Sequence, residues 1–179
     1  KGFNDTRGTL FYEIAKILKR HRPKVAFLEN VRGLISHDKG KTITVILHTI
    51  THTGYQCNIH QGVIDQAYED VLSGNDRGYV KIIQKECTKM VLKSREFGVP
   101  QNRQRIYVVL WRTDLGVDYF HYPKPTFVPT RIGNILELNP DPKYTISDRM
   151  WVGHQERKKR NKEKGKGFGY ALFSSEAPY

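Results

Sequence analysis

The chain has 179 residues, with 30 lysines and arginines against 18 acidic residues and a formal net charge of +12 at pH 7. Its hydrophobic fraction of 38% is enough for a buried core, so wholesale disorder is excluded. A mean hydropathy of -0.59 without any apolar run near 18 residues excludes a membrane span. Two cysteines without a paired spacing exclude a disulfide framework and a cysteine-built zinc site. We expect a basic cytoplasmic protein whose sequence is cut at both ends.

The first predicted elements alternate between helix and strand. Apolar residues recur at helical spacing over Thr9–Arg22, and Pro23 ends this helix. The run Val25–Leu28 is short and wholly apolar, which predicts a strand buried on both faces. Glu29 and Asn30 follow it directly. In an open parallel α/β sheet they would lie just past the carboxyl end of the strand, where ligands bind.

Later patterns predict one more helix and three more strands. These are a helix over residues 42–53 and strands over residues 55–59, 90–92 and 106–111. Residues 62–89 do not continue the alternation and are interpreted as an insertion, in which residues 65–72 could be helical. Prolines break the periodicity after Arg112, which indicates a domain boundary near residues 113–125.

Three short segments in a set order carry the strongest functional pattern. The segment Lys1–Phe11 contains Arg-Gly-Thr-Leu-Phe at the start of a helix, and Phe27–Val31 ends on Glu-Asn-Val. The segment Phe97–Tyr107 contains Gln-Asn-Arg-Gln-Arg before a strand. In this order the segments resemble the catalytic domain of the cytosine-C5 DNA methyltransferases. The resemblance covers residues 1–125 apart from the insertion.

This resemblance implies an α/β fold in two parts. Residues 1–120 would form the back half of a Rossmann-like, S-adenosylmethionine-dependent methyltransferase sheet, and residues 121–179 would begin an irregular domain that recognises the DNA target. The implied activity is transfer of a methyl group from S-adenosylmethionine to C5 of a cytosine flipped out of double-stranded DNA. Such an enzyme would serve bacterial restriction-modification or stand as an orphan methylase. We expect it to act as a monomer on DNA in the bacterial cytoplasm, at the nucleoid.

The candidate catalytic residues are polar side chains beside the predicted strands. From the sequence alone, Glu29 could act as an acid, hold a ring nitrogen, or be an ordinary solvated loop residue. Arg103 and Arg105 alternate on a strand, so they would face one side and grip a carbonyl or phosphate, unless they simply lie at the surface. The resemblance implies that Glu29 binds the N3 and amino edge of cytosine while Arg105 approaches O2, with Arg103 in support. It also implies that Asn30 orients the nucleophile loop and that Leu10 lines the cofactor site.

The nucleophile that the resemblance implies is missing from this sequence. It belongs to a Pro-Cys-Gln segment, and neither Cys57 nor Cys87 is preceded by Pro or followed by Gln. The glycine-rich cofactor loop of the family is missing as well. We therefore expect a piece of a longer enzyme that neither methylates DNA nor binds the cofactor tightly by itself.

The segment His154–Lys166 is strongly basic, with seven cations against two acids. The cations are Arg157, Lys158, Lys159, Arg160, Lys162, Lys164 and Lys166. Glycines and aromatics follow over Gly167–Tyr170, which suits a surface that neutralises phosphates and lets backbone approach a groove. A solvated helix face is the alternative. The charge imbalance favours contact with DNA.

Two other functions remain open, and one further residue pair has the spacing of metal ligands. An enzyme of similar architecture that methylates cytosine in tRNA would carry comparable segments, and a nucleic-acid-binding module could have lost its nucleophile. His48 and His52 are four residues apart on a predicted helix, which is metal-ligand spacing. No third ligand is evident in the sequence, so no metal site is expected.

Overall fold

The computed structural model describes residues 6–75, 77–167 and 169–177, with residues 6–10 described by their backbone only. Within these residues the protein is a mixed α/β structure. The helices are α1 (Thr6–His21), α2 (Lys41–Thr51), α3 (Gln61–Ser73), α4 (Tyr79–Thr88) and α5 (Asp148–Glu163). The strands are β1 (Val25–Val31), β2 (Tyr55–Gln56), β3 (Val91–Lys93) and β4 (Gln104–Arg112). Short 3-10 turns occupy several of the connections.

The four strands form one sheet built around β4. Strand β1 pairs with β4 along its whole length, from Val25 opposite Trp111 to Val31 opposite Arg105. Strands β2 and β3 pair with opposite ends of the other edge of β4. All three pairings are antiparallel, so the expected parallel arrangement is wrong for these strands. Strand direction depends on pairings between segments distant in sequence, which an apolar run does not encode.

Strand β1 is buried on one face only. Ala26 is buried and Leu28 packs against the core, whereas Val25 is 54% exposed and Phe27 is 62% exposed. The prediction of burial on both faces is therefore wrong. Its physical reason is that the cover on this face buries Val109 and Trp111 of β4 but does not reach their partners on the outermost strand, β1. Phe27 finds partial cover by stacking on Tyr107, with ring centroids 5.3 Å apart.

The core lies between the sheet and the helices. Helix α2 contributes Ile43, Leu47 and Ile50, all with no exposed surface, because these residues share one face at helical spacing. Ile106 and Leu110 of β4 face them in the same cluster and are equally buried. Full burial of each such side chain contributes roughly 1.5–3 kcal/mol. This packing fixes the position of β4 and, through the ladder, of β1.

The stretch interpreted as an insertion, residues 62–89, folds as most of α3 and all of α4, which lie between β2 and β3 along the chain. Strands β2 and β3 both pair with the same edge of β4, at its two ends. The two helices therefore connect strands that share one edge of the central strand. Asp70 of α3 is buried, and its carboxylate accepts hydrogen bonds from Arg77 and from the backbone N–H of Tyr79 at the start of α4. That contact joins the two helices at their loop.

After β4 the described chain has little regular structure until α5. Ser147 caps α5 by accepting from the backbone N–H of Met150. No side chain of α5 is buried, in line with its highly polar sequence. Among the described residues, no helix combines the length and apolarity that crossing a bilayer requires. The domain boundary near residues 113–125 stays a prediction.

Candidate functional site

Glu29 and Arg105 form an ion pair on one face of the sheet. Glu29 lies opposite Tyr107 in the β1–β4 ladder, and Arg105 follows two residues along β4, so the two side chains are diagonal neighbours. Arg105 Nε lies 2.8 Å from Glu29 Oε1. The Arg105 side chain is 19% exposed and the Glu29 side chain is 44% exposed, so the carboxylate is held in place and remains accessible to a ligand.

The strand extends further than the apolar run predicted. Glu29 and Asn30 lie inside β1 and pair with Tyr107 and Ile106, rather than following the strand as loop residues. The ladder continues because β4 offers partners beyond the apolar segment. Asn30 is exposed, and its Oδ1 accepts a hydrogen bond of 2.8 Å from the backbone N–H of Val31. The carboxylate and the amide therefore project to opposite faces at adjacent positions.

Arg103 lies apart from this ion pair. It precedes β4, its side chain is exposed, and its backbone N–H donates to Ser94 Oγ at 3.0 Å. The carbonyl of Arg103 accepts from the backbone N–H of Ser94. The structure thus brings Arg105 to Glu29, while Arg103 belongs to the loop that precedes the strand. Arg103 and Arg105 were expected to face the same side because side chains alternate along a strand. The strand begins only at Gln104, so this alternation does not extend to Arg103.

A groove of about 360 Å³ is lined by residues of strands β1 and β4 and of helices α1 and α2. Its lining is mainly apolar, with Glu29 and Asn30 as its polar members. The apolar lining comes from Phe11, Ile14, Phe27, Leu28, Leu34, Ile43, Ile46, Ile106 and Val108. Leu10 belongs to α1 next to Phe11, and its side chain lies outside the described part. The predicted cofactor role of Leu10 stays a prediction.

The two cysteines do not have the properties of nucleophiles. Both are buried and neither forms a disulfide. Burial raises the pKa of the Cys57 thiol to about 11 and that of the Cys87 thiol to about 12. Since the thiolate is the reactive form, both side chains remain unreactive at neutral pH. This agrees with the absence of a Pro-Cys-Gln context at either position.

The basic segment forms the second half of α5 and the turn that follows it. All seven predicted DNA-binding residues have described positions on this surface, and Lys158, Lys162 and Lys166 line one groove of about 620 Å³. The other wall of the groove is the chain over 167 and 169–172. Positive charge on one wall and backbone on the other suit a phosphate chain.

Tyr170 holds the glycine-rich segment against α5. Its ring lies 4.8 Å from that of Trp151, and the ammonium of Lys158 sits 4.2 Å from the ring centroid. Lys158 Nζ also donates to the carbonyl of Tyr170. Gly169 permits this approach, since a Cβ there would lie 2.7 Å from Lys158 Cβ. Phe168 lies outside the described residues.

A further cluster includes a residue that the sequence pattern did not single out. Asp65 of α3 lies between His48 and His52 of α2, with one carboxylate oxygen less than 4 Å from both imidazoles. Burial, and secondarily the proximity of His52, lower the pKa of His48. The only sequence signal for Asp65 is its spacing of four residues from Gln61, which places the two side chains on one helix face. That spacing does not reveal that this face lies against His48 and His52.

The chain matches the family model for C-5 cytosine-specific DNA methylase over residues 1–178. It is 44% identical to Type II methyltransferase M1.ScrFI of Lactococcus lactis subsp. cremoris over 99% of this chain. It is 41% identical to Type II methyltransferase M.SsoII of Shigella sonnei and 44% identical to Type II methyltransferase M.NlaX of Neisseria lactamica, each over 100% of this chain. The chain covers 39%, 40% and 47% of the lengths of these three relatives.

Proposed function

The chain belongs to the C-5 cytosine-specific DNA methylase family, and we propose that the full-length protein methylates C5 of cytosine in a specific sequence of duplex DNA. The observation that carries the proposal is the Glu29–Arg105 ion pair, in which Glu29 also belongs to the lining of a largely apolar groove, within a chain that matches this family over nearly all its length. The relatives are named as Type II methyltransferases, which supports a role in restriction-modification.

Glu29 is the residue that we propose to bind the cytosine base. A carboxylate that is partly exposed can accept from the exocyclic amine of cytosine and form a charge-assisted hydrogen bond with a protonated N3. Protonation of N3 withdraws electrons from the ring and makes C6 a better target for a nucleophile. The ion pair with Arg105 holds Glu29 in one orientation, so the base meets a fixed partner.

Arg105 has donors beyond the one directed at Glu29. Its Nε serves the carboxylate, and one terminal nitrogen donates to the Gln104 carbonyl at 2.8 Å. A guanidinium has five N–H donors, so others remain for an acceptor such as the cytosine O2. We propose that Arg105 thus contacts both the base and the residue that binds it. Arg103 would support the adjacent backbone, and Asn30 would orient the loop that carries the nucleophile.

We infer that S-adenosylmethionine is the methyl donor, as the family implies. The groove along β1 fits part of this molecule, because apolar and aromatic side chains suit an adenosine group and Asn30 offers an amide at its edge. Phe11 and Ile14 would contact it from α1, together with Leu10. When bound, S-adenosylmethionine supplies an electrophilic methyl group on sulfur. We place these strands in a Rossmann-like sheet of the full-length enzyme.

The basic surface on α5 is the part that we propose to contact DNA. Lys158, Lys162 and Lys166 would bind phosphates across their groove, with the remaining cations of the segment around it. Residues 121–179 would then begin the domain that recognises the target sequence. Phosphate contacts of this kind position the protein and carry no sequence information themselves.

The test is a methyl-transfer assay on the full-length protein with radiolabelled S-adenosylmethionine. A mixture of duplex DNA sequences should become labelled, and sequencing of the product should locate 5-methylcytosine at one recurring site. Transfer RNA offered at the same concentration should remain unlabelled. Labelling of tRNA alone, or of neither substrate, would reject the proposed function.

A further inference from the structure

We propose that His48, His52 and Asp65 form a binding site for one divalent transition-metal ion, such as Zn²⁺, which joins α2 to α3. One ligand atom from each residue lies within 4.8 Å of the other two. Two imidazoles and a carboxylate are a common donor set for such ions. The inference rests on the geometry of this chain and does not depend on the proposed methyl transfer.

The distances fit an ion between the side chains better than they fit direct hydrogen bonds. Asp65 Oδ1 lies 3.8 Å from His48 Nε2 and 3.7 Å from His52 Nε2. Hydrogen bonds between nitrogen and oxygen are shorter, at about 2.7–3.2 Å. Two ligands on a tetrahedral Zn²⁺ lie about 3.4 Å apart, given bond lengths of about 2.0–2.1 Å. These two carboxylate–imidazole separations therefore need to shorten by only a few tenths of an ångström, and the ligand atoms of the two imidazoles lie within 4.8 Å of each other.

The hydrogen bond of His52 leaves its other ring nitrogen, Nε2, directed toward the proposed metal site. His52 Nδ1 lies 2.9 Å from the backbone carbonyl oxygen of His48. A carbonyl only accepts, so Nδ1 carries a hydrogen, and a neutral ring with that hydrogen has its lone pair on Nε2. That lone pair is near Asp65, also an acceptor. A metal ion between this lone pair and the Asp65 carboxylate would satisfy both acceptors, and the same backbone contact orients many metal-binding histidines.

The other two side chains are also held in position. The ring of His48 stacks on that of Tyr68, with centroids 3.7 Å apart and an interplanar angle of 7°. Gln61 Nε2 donates to Asp65 Oδ1 at 2.8 Å, which orients the carboxylate from one turn earlier on α3. His48 is 21% exposed, His52 is 51% exposed and Asp65 is 41% exposed. The site is therefore ordered and still open to an ion from solution.

An ion bound here would link two helices that otherwise meet through apolar packing. Helices α2 and α3 contribute Ile50 and Ile64 to the same core cluster. Because the ligands come from both helices, metal binding would favour the folded arrangement over any state in which they separate. We infer a stabilising role, with a position left open for water or another ligand.

The experiment measures Zn²⁺ binding by full-length protein that carries no histidine tag and has been stripped with a chelator. Titration in competition with a chromogenic chelator should give one saturable site with these ligands, and Co²⁺ should give the visible absorption of a tetrahedral complex. His52→Gln and Asp65→Asn should each weaken Zn²⁺ binding by about tenfold or more. His154→Gln, which removes a histidine from α5, should leave the affinity unchanged.

Thermal unfolding supplies a second readout. Zn²⁺ should raise the Tm of the wild type and of His154→Gln, and should raise it less or not at all in His52→Gln and Asp65→Asn. Circular dichroism at room temperature should show that all variants are folded. Equal Zn²⁺ affinity in all four proteins would overturn the proposal. Retained affinity in Asp65→Asn alone would overturn the three-ligand site, because a helical histidine pair would then account for binding.

Discussion

Arg105 Nε lies 2.8 Å from Glu29 Oε1, across a diagonal of the antiparallel β1–β4 ladder. The two side chains come from segments 76 positions apart in sequence, and the ladder alone brings them together. A partly exposed ion pair contributes little to stability, about 0–1 kcal/mol. Its consequence is orientation, since the guanidinium limits the rotamers that the Glu29 carboxylate can adopt.

Replacing Glu29 with Gln should reduce methyl transfer by the full-length protein about hundredfold or more. The amide keeps the shape of the side chain but cannot stabilise a protonated N3 as a carboxylate does. Affinity for duplex DNA should change little, because the phosphate contacts lie elsewhere. Single-turnover kinetics and a DNA-binding titration measure the two quantities separately.

The control for this change is Glu13→Gln on α1, which removes an equally charged residue that pairs with Lys16 at an exposed site. It should leave turnover within twofold of the wild type. An equal loss of DNA affinity and turnover in Glu29→Gln would contradict the assigned role and indicate a structural one.

Changing Lys158, Lys162 and Lys166 to Gln should weaken binding to every DNA sequence tested. Each phosphate contact that is lost should lower the slope of log K against log salt by about 0.9. The preference for the target sequence over other sequences should remain, since phosphates carry no sequence information. Fluorescence anisotropy at several salt concentrations measures both effects.

The matched control changes Lys16, Lys19 and Arg20 to Gln on exposed positions of α1, with the same loss of charge. This triple variant should alter the salt slope less than the α5 variant does. If the two variants had the same slope, net charge would explain the effect and the groove on α5 would not be the contact surface.

The local elements were predictable because their signals are local. Apolar residues at helical spacing predicted a helix over residues 9–22, and the structure has α1 over Thr6–His21. The apolar run 106–111 predicted the strand that became β4, Gln104–Arg112. The strand at 55–59 is shorter than predicted, since β2 pairs with β4 only over Tyr55–Gln56. Its direction, like that of β1, follows from pairing with a distant segment.

The candidate site was predictable residue by residue but not as an arrangement. The pattern singled out Glu29 and Arg105, while the register that makes them diagonal neighbours emerges only from the ladder. Asp65 was missed as a partner for His48 and His52, because it lies on another helix and is brought near by core packing. Spacing in the sequence can predict which residues share a face of one helix, but it cannot predict which residue of a neighbouring helix packs against that face.

Cys57 and Cys87 should resist alkylation in the folded protein. With pKa values raised by burial to about 11 and about 12, about a thousandth or less of either thiol is ionised at pH 8. Peptide mass mapping after iodoacetamide treatment should find both unmodified, and modified after denaturation. Because unfolding restores a pKa near about 8.5, the free energy of unfolding should fall as pH rises from about 9 toward 12.

The outcome that would contradict this prediction is rapid labelling of Cys57 or Cys87 in the native protein at pH 8. The Cys87→Ala variant distinguishes the two sites, since labelling of Cys57 can then be followed alone. A loss of stability at high pH that is unchanged in that variant would assign the effect to other groups.

Replacing Gly169 with Ala should disturb the groove on α5. The added Cβ would lie 2.7 Å from Lys158 Cβ and 2.8 Å from Lys158 Cα, so the segment must move away from the helix. We expect weaker DNA binding, with the shift measured by anisotropy at fixed salt. The control is Gly153→Ala on α5, where the added Cβ would have no atom within 4 Å. This variant should leave DNA binding unchanged.

Replacing Asp70 with Asn should loosen the helix pair α3–α4. The Asp70 side chain is 1% exposed, and its carboxylate accepts from Arg77 and from the N–H of Tyr79. Loss of a charged hydrogen bond at a buried site costs about 1.5–3 kcal/mol, so amides in both helices should exchange with deuterium about tenfold faster or more. Glu69→Gln, one residue away at an exposed position, should change exchange little. Mass spectrometry of peptides from the full-length protein measures both variants, and equal exchange in the two would show that the buried carboxylate does not join the helices.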